Sequence, residues 1–229
     1  MNYQTKQLEL IKKIEESLKN GQQISTLVDP VSDYVNDNRI CLTSVVFLPK
    51  DLQEKIISCI INPLKETDPD QYFYIPDSFH VTINNIRTIE NPPLFNNDDL
   101  EKAQKVFRKV VSKYHSFSFE LKGIFELPTS LAIPAFSDET LGNLVLELRS
   151  ELKKAGVPDN KTYADDNIVI GSTTIARFTK TPNSRFKQKV DTLKETEIGN
   201  FEVVKISLIT TNAACHPSKT KIIDDYLLS

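Results

Sequence analysis

The sequence predicts an α+β protein with a bilobal, pseudo-symmetric body: two antiparallel sheets with outer helices around a central groove. Three observations carry this. Short β-branched runs alternate along the chain with amphipathic helical runs. The order strand, helix, strand, helix, strand occurs twice, a repeat too long and too few for a solenoid. Finally, "FHVTI" at Phe79–Ile83 returns as "STTI" at Ser172–Ile175, at the matching point of the second half. Each half then sets one threonine-bearing strand at a shared junction, a common place for a ligand.

The elements follow from local pattern. Residues 4–19 put Leu10, Ile11, Ile14 and Leu18 on one helical face. Gly21 to Arg39, with Pro30 and several Asp and Asn, reads as a long loop. "ICLTSVVFL" (40–48) is a buried strand. Pro49 and Asp51 open a helix carrying Leu52, Ile56, Ile57 and Ile60, with Cys59 expected in its core face. Strands are expected near 72–75 and 79–83. Beyond Pro92 and Pro93, Asn97 or Asp98 caps a helix running to Tyr114. The run 117–127 reads as one strand with a bulge at Gly123, paired with 130–136. Ser137 and Asp138 begin a helix that Gly156 and Pro158 end. A strand at 173–178, a charged helix near 183–195, one long strand at 201–212 and a last strand complete the chain.

Composition limits the partners. The chain has 229 residues, 39% hydrophobic and 26% charged, with net charge −3. Non-specific coating of duplex nucleic acid is driven by basic excess and counterion release, so no extended duplex binding is expected. A local site for a phosphate-bearing ligand fits better. Three cysteines, an odd number without a C-x-x-C pair, support neither a disulfide framework nor a zinc knuckle. With no apolar h-region at the start and no apolar run of roughly 18 residues, a cytoplasmic protein without membrane contact is expected, and a monomer.

Strand residues i and i+2 share a face. His80 and Thr82 therefore project together, and so do Ser172 and Thr174, with Val81, Ile83, Thr173 and Ile175 behind them. Facing lobes would bring one imidazole and three hydroxyls together.

"FHVTI", "TTIARF", their spacing and the duplicated order resemble the two-histidine (2H) phosphoesterase superfamily, which includes the 2′,5′-RNA ligase and 2′,3′-cyclic nucleotide phosphodiesterase proteins. The resemblance covers 38–229 as one domain and leaves 1–37 as an added helix and loop. It implies metal-independent general acid–base catalysis without a cofactor. One imidazole removes a proton and another protonates the leaving oxygen, while motif hydroxyls hold the phosphate. Residue by residue, it makes His80 the general acid or base and Thr82 and Thr174 the phosphate clamps, with Ser172 where the second histidine would stand. Serine can hold a phosphate or a water, but it cannot shuttle protons near neutral pH. Arg177 is a further phosphate-binding candidate, five positions after Ser172; a straight strand points it away and a bulge brings it back.

The implied ligand is a nucleotide or RNA terminus with a 2′,3′-cyclic phosphate or a 2′,5′ linkage. Catalysis on it would be impaired by the missing histidine. The alternative is an inactive relative that binds nucleotide or RNA phosphate; a protein-interaction scaffold with an unused groove is a third reading. Lesser candidates are Arg87 as a phosphate contact, His216 swinging into the groove, and Tyr72, Phe73 and Tyr74 stacking a base. His115 is expected at a helix C-terminus, and Lys180, Lys187 and Lys189 on a solvated face.

Overall fold

The computed structural model describes residues 2–229. One sheet contains β1 (Ile40–Phe47), β3 (His80–Glu90), β9 (Lys205–Thr211) and β10 (Lys221–Leu227), in the order β10-β9-β1-β3. The other contains β2 (Tyr72–Phe73), β4 (Phe117–Lys122), β6 (Ser130–Phe136), β7 (Gly171–Arg177) and β8 (Glu197–Val203), in the order β2-β7-β6-β4-β8. β5 (Phe125–Leu127) pairs with β6 off that path. All pairings are antiparallel. The main core joins both sheets to α4 (Asn97–Val111) and α5 (Glu139–Lys154), with Phe79, Val81, Phe107, Phe119, Leu131 and Leu148 fully enclosed.

The α+β class and the two antiparallel sheets match the sequence reading, but the sheets do not coincide with the two halves. β4 of the first half joins the second sheet, and β9 and β10 of the second half join the first. The run expected as one strand over 201–212 breaks at Val204, where the chain leaves β8 and enters β9 in the opposite sheet. The strand expected over 117–127 also divides, at Gly123. That residue has φ +79°, and a Cβ there would sit 3.1 Å from the Lys194 carbonyl, so glycine fits the turn.

Cys59 is exposed rather than in the core. Helix α2 (Lys50–Ile56) widens into a π turn over Ile57–Ile61 before α3 (Asn62–Lys65). That insertion shifts the helical phase and turns Cys59 outward while Ile60 and Ile61 stay buried. The cap of α4 is Asn96, in a reciprocal capping box with Asp99, instead of Asn97 or Asp98.

Helix α1 (Tyr3–Lys19) packs Leu10, Ile11 and Ile14 on Phe125, Ala132 and Phe136, so β6 is buried on both faces. Burying each such aliphatic side chain is worth about 1.5–3 kcal/mol. Gln7, fully buried within this contact, is satisfied at both ends: it donates to the Val169 carbonyl (2.8 Å) and accepts from the Ser137 amide (3.1 Å). The chain after α1 is then strapped across the molecule. Thr26 and Thr162 exchange two hydrogen bonds, and Tyr34, almost fully buried, donates to the Phe178 carbonyl.

Candidate functional site

The two motif strands β3 and β7 come from different sheets and lie against each other at the junction. Gly171 permits the approach: a Cβ there would fall 2.9 Å from Val81 Cγ1 and from the Phe119 ring. As the period-two argument requires, Val81, Ile83, Thr173 and Ile175 are buried in the core. Thr82, Ser172 and Thr174 are half-buried on the opposite face, where all three line one cavity of about 280 Å³.

Arg177 lines the same cavity. In the β6–β7 ladder Ala132 pairs with Thr174 but Leu131 pairs with Ala176, so Ile175 is an extra residue. The bulge flips the parity and returns Arg177 to the groove face. Its Nε donates to the Tyr74 hydroxyl (3.0 Å) and the Ala213 carbonyl (2.8 Å), which fixes the guanidinium.

His80 is not among the residues that line the cavity, but it lies close enough to Arg177, which does line it, to feel that guanidinium's charge. It is half-buried beside Phe47, its cross-strand partner, with ring centroids 6.4 Å apart and nearly edge-on. Its Nδ1 bonds the Ser78 carbonyl at 2.8 Å, so Nδ1 carries a hydrogen. Cys215 sits beside the imidazole, in the left-handed region at φ 48° and almost fully buried. Burial and Arg177 pull the His80 pKa down, but Cys215 and the Ser78 carbonyl outweigh them and hold it above the ordinary value. Burial likewise pushes the Cys215 thiol up, and His80 with the Thr220 and Thr211 hydroxyls reverses it to a net lowering.

The lesser candidates lie elsewhere. Arg87 spends its guanidinium on the carbonyls of Leu94, Ile86 and Pro158. His115 bonds Ser229 rather than a helix end, and His216 caps the 3-10 turn Pro217–Lys219 through Ser218. Tyr74 is buried with its hydroxyl on Ala213, Tyr72 packs tilted on Tyr34 and edge-on to Tyr74, and Phe73 packs on Phe186. None of the three lines the cavity, so they form no base platform in it. Lys180 pairs with Asp70 on the surface, Lys187 is exposed and Lys189 is half-buried.

The cavity also holds residues that the sequence reading did not single out: Asn85, Arg149, Lys161 and Tyr163. The Arg149 guanidinium stacks 3.5 Å from the Tyr163 ring centroid, and Lys161 Nζ lies 5.6 Å from it. The Asn85 Oδ1 is buried and has no protein partner among the described residues. No motif or spacing marks these four. Arg149 reaches the cavity through the packing of α5, Lys161 and Tyr163 through the 157–170 segment, and Asn85 along β3 past the register shift at Ile83.

Several solved structures share this fold. TT0787 of Thermus thermophilus superposes with a TM-score of 0.60 at 14% identity, covering 82% of this chain and 97% of that one. A structure described as a phosphoesterase gives a TM-score of 0.56 at 12% identity, covering 84% and 99%. E. coli LigT complexed with NADP+ gives 0.57 at 12% identity, covering 83% and 98%, and LigT has also been solved with 3′-AMP, ATP and phosphate. No protein-family model and no curated protein sequence matches the chain. Among the described residues, no helix is long and apolar enough to cross a membrane.

Proposed function

We propose that the groove binds the phosphodiester of a nucleotide or RNA terminus, 2′,3′-cyclic or 2′,5′-linked. On this reading the chain is a two-histidine phosphoesterase-type protein of low turnover. The observation that carries it is the meeting of Thr82, Ser172, Thr174 and Arg177 on one cavity from strands of two sheets. Three hydroxyls and a fixed guanidinium suit a tetrahedral dianion or its diester better than an apolar ligand. His80 is then the one motif imidazole available for proton transfer, and Ser172 a phosphate or water contact.

A second reading, binding without turnover, is favoured by one observation: His80 stands outside the cavity lining, with Phe47 and Cys215 at its sides. One experiment separates the two. Hydrolysis of 2′,3′-cyclic nucleotides is measured with the natural chain, His80→Ala and Ser172→His. Low turnover is expected, lost in His80→Ala and raised toward the roughly 10²–10⁴-fold that a second acid or base typically supplies in Ser172→His. Wild-type inactivity with retained nucleotide binding and gain in Ser172→His establishes the binding protein. Absence of both binding and turnover in all three sinks the site.

A further inference from the structure

Three cations, Arg149, Lys161 and Arg177, line the cavity, and of these Lys161 has no acid paired with it among the described residues. The acids nearby are occupied. Asp159 accepts from the Tyr163 hydroxyl (3.0 Å) and lies 3.5 Å from Arg149 Nε. Asp165 accepts the amides of Asn167 and Ile168 at 2.8 and 2.9 Å. Lys161 has neither an ion pair nor a side-chain hydrogen bond among the described residues. Its ammonium lies over the Tyr163 ring with Arg149 stacked on that same ring. Arg149 Nε is itself buried without a hydrogen bond.

A half-buried ammonium sharing an aromatic ring with a guanidinium, in a cavity lined by a second one, is electrostatically costly. Burial first, then Arg149 and Arg177, hold its pKa below the ordinary lysine value. The segment that carries it is not loose. Thr162 and Thr26 bond each other twice, and Asn160 bonds the Thr88 amide (2.9 Å) and hydroxyl (3.0 Å). The cation is thus held in place without a partner, on the same cavity as the motif hydroxyls.

We propose that Lys161, with Arg149 and Tyr163, forms a second anion subsite, so that the groove takes a nucleotide carrying two separated phosphoryl groups. One phosphate sits on Thr82, Ser172, Thr174 and Arg177, and the other on Lys161. This rests on the phosphate-binding reading given above and narrows its ligand class. The Asn85 Oδ1, buried and unpartnered, supplies an acceptor on the same cavity for a ribose hydroxyl or a base amino group.

The test compares adenosine 3′-monophosphate with adenosine 3′,5′-bisphosphate by isothermal titration calorimetry. The natural chain, Lys161→Ala and Lys161→Gln are used, each checked for folding by thermal denaturation. A charge-assisted hydrogen bond of typical strength gives the bisphosphate an advantage of roughly 10–100-fold in the natural chain. In both variants that advantage falls to within about threefold, the size of a merely long-range charge effect. The natural chain also loses bisphosphate affinity with salt more steeply than monophosphate affinity. Equal affinities in the natural chain, an advantage that survives Lys161→Gln, or equal salt slopes overturn the second subsite alone. If neither nucleotide binds the natural chain, the phosphate-binding reading falls with it.

Discussion

Arg177 Nε donates to the Tyr74 hydroxyl at 3.0 Å, across the junction between the second motif strand and the segment that leads into the first. The same nitrogen reaches the Ala213 carbonyl, in the turn that carries Cys215. One guanidinium therefore ties together three pieces of chain through Nε alone, and the residue lines the cavity. The bulge at Ile175 makes this possible, by reversing the parity of a strand that would otherwise bury the arginine.

Arg177→Lys separates the two roles. An ammonium keeps the charge but has no second nitrogen, so it cannot hold both oxygens and reach a phosphate as well. Losing the hydrogen bonds to Tyr74 and Ala213 should cost about 1.5–3 kcal/mol of stability, because the buried carbonyl and hydroxyl lose their charged donor. Urea denaturation reads the stability, and titration with 3′-AMP reads the ligand. Both should weaken; a variant as stable and as tight as the natural chain would remove Arg177 from the site.

Thr82 and Thr174 offer a sharper test of convergence. Thr→Val keeps the β-branched shape and removes the hydroxyl. Each replacement should weaken phosphate binding by about 0.5–1.5 kcal/mol. If both hydroxyls hold one phosphate, the double variant should lose less or more than the sum, with a coupling energy above about 0.5 kcal/mol. Strict additivity in calorimetry would place them on different ligand atoms.

Gly142 tests the attachment of α1. It lies on α5, and a Cβ there would approach Tyr3 Cζ to 2.8 Å, with the hydroxyl nearer still. That hydroxyl accepts the Val169 amide at 2.9 Å, so Tyr3 cannot swing aside freely. Gly142→Ala would gain helix propensity on exposed ground, but here overpacking should win, with a net loss of about 1–3 kcal/mol. Thermal denaturation should show a lower Tm, and faster amide exchange confined to residues 3–19 would locate the loss. An unchanged or raised Tm refutes the contact.

Much of this was legible in the sequence because the signals were local. The 3.6-residue period of Leu10, Ile11, Ile14 and Leu18 and the two-residue period of His80–Thr82 and Ser172–Thr174 each report which face is buried. What escaped was non-local or phase-shifting. The run 201–212 is strand-forming throughout, and nothing in it marks Val204 as the point where the chain changes sheets. The π turn at Ile57–Ile61 breaks the period that would bury Cys59. The order of β10-β9-β1-β3, and with it the position of Cys215 beside His80, depends on strand exchange that no spacing encodes. Lys161 and Tyr163 lie in a polar loop whose composition looks like any solvated connection.

The contact between His80 and Cys215 sets a pH dependence with a definite sign. Burial, the largest influence on the imidazole, lowers its pKa, and Arg177 acts the same way; Cys215 and the Ser78 carbonyl reverse the outcome to a net rise. A histidine with a raised folded pKa contributes stability that is fully present below its ordinary value of about 6.5. That stability disappears as pH rises through the higher folded value. The Tm difference between the natural chain and His80→Gln should therefore shrink as pH increases from about 6.5 upward. Replacing Cys215 by alanine removes the main raising influence and leaves burial and Arg177 in control. The His80 titration midpoint, followed by NMR on a chain with three histidines, should then drop below the ordinary value. A midpoint that stays raised in Cys215→Ala would show that the Cys215 side chain does not hold the proton on His80. Cys215 would then be a packing residue against Val45 and Ile209 and nothing more.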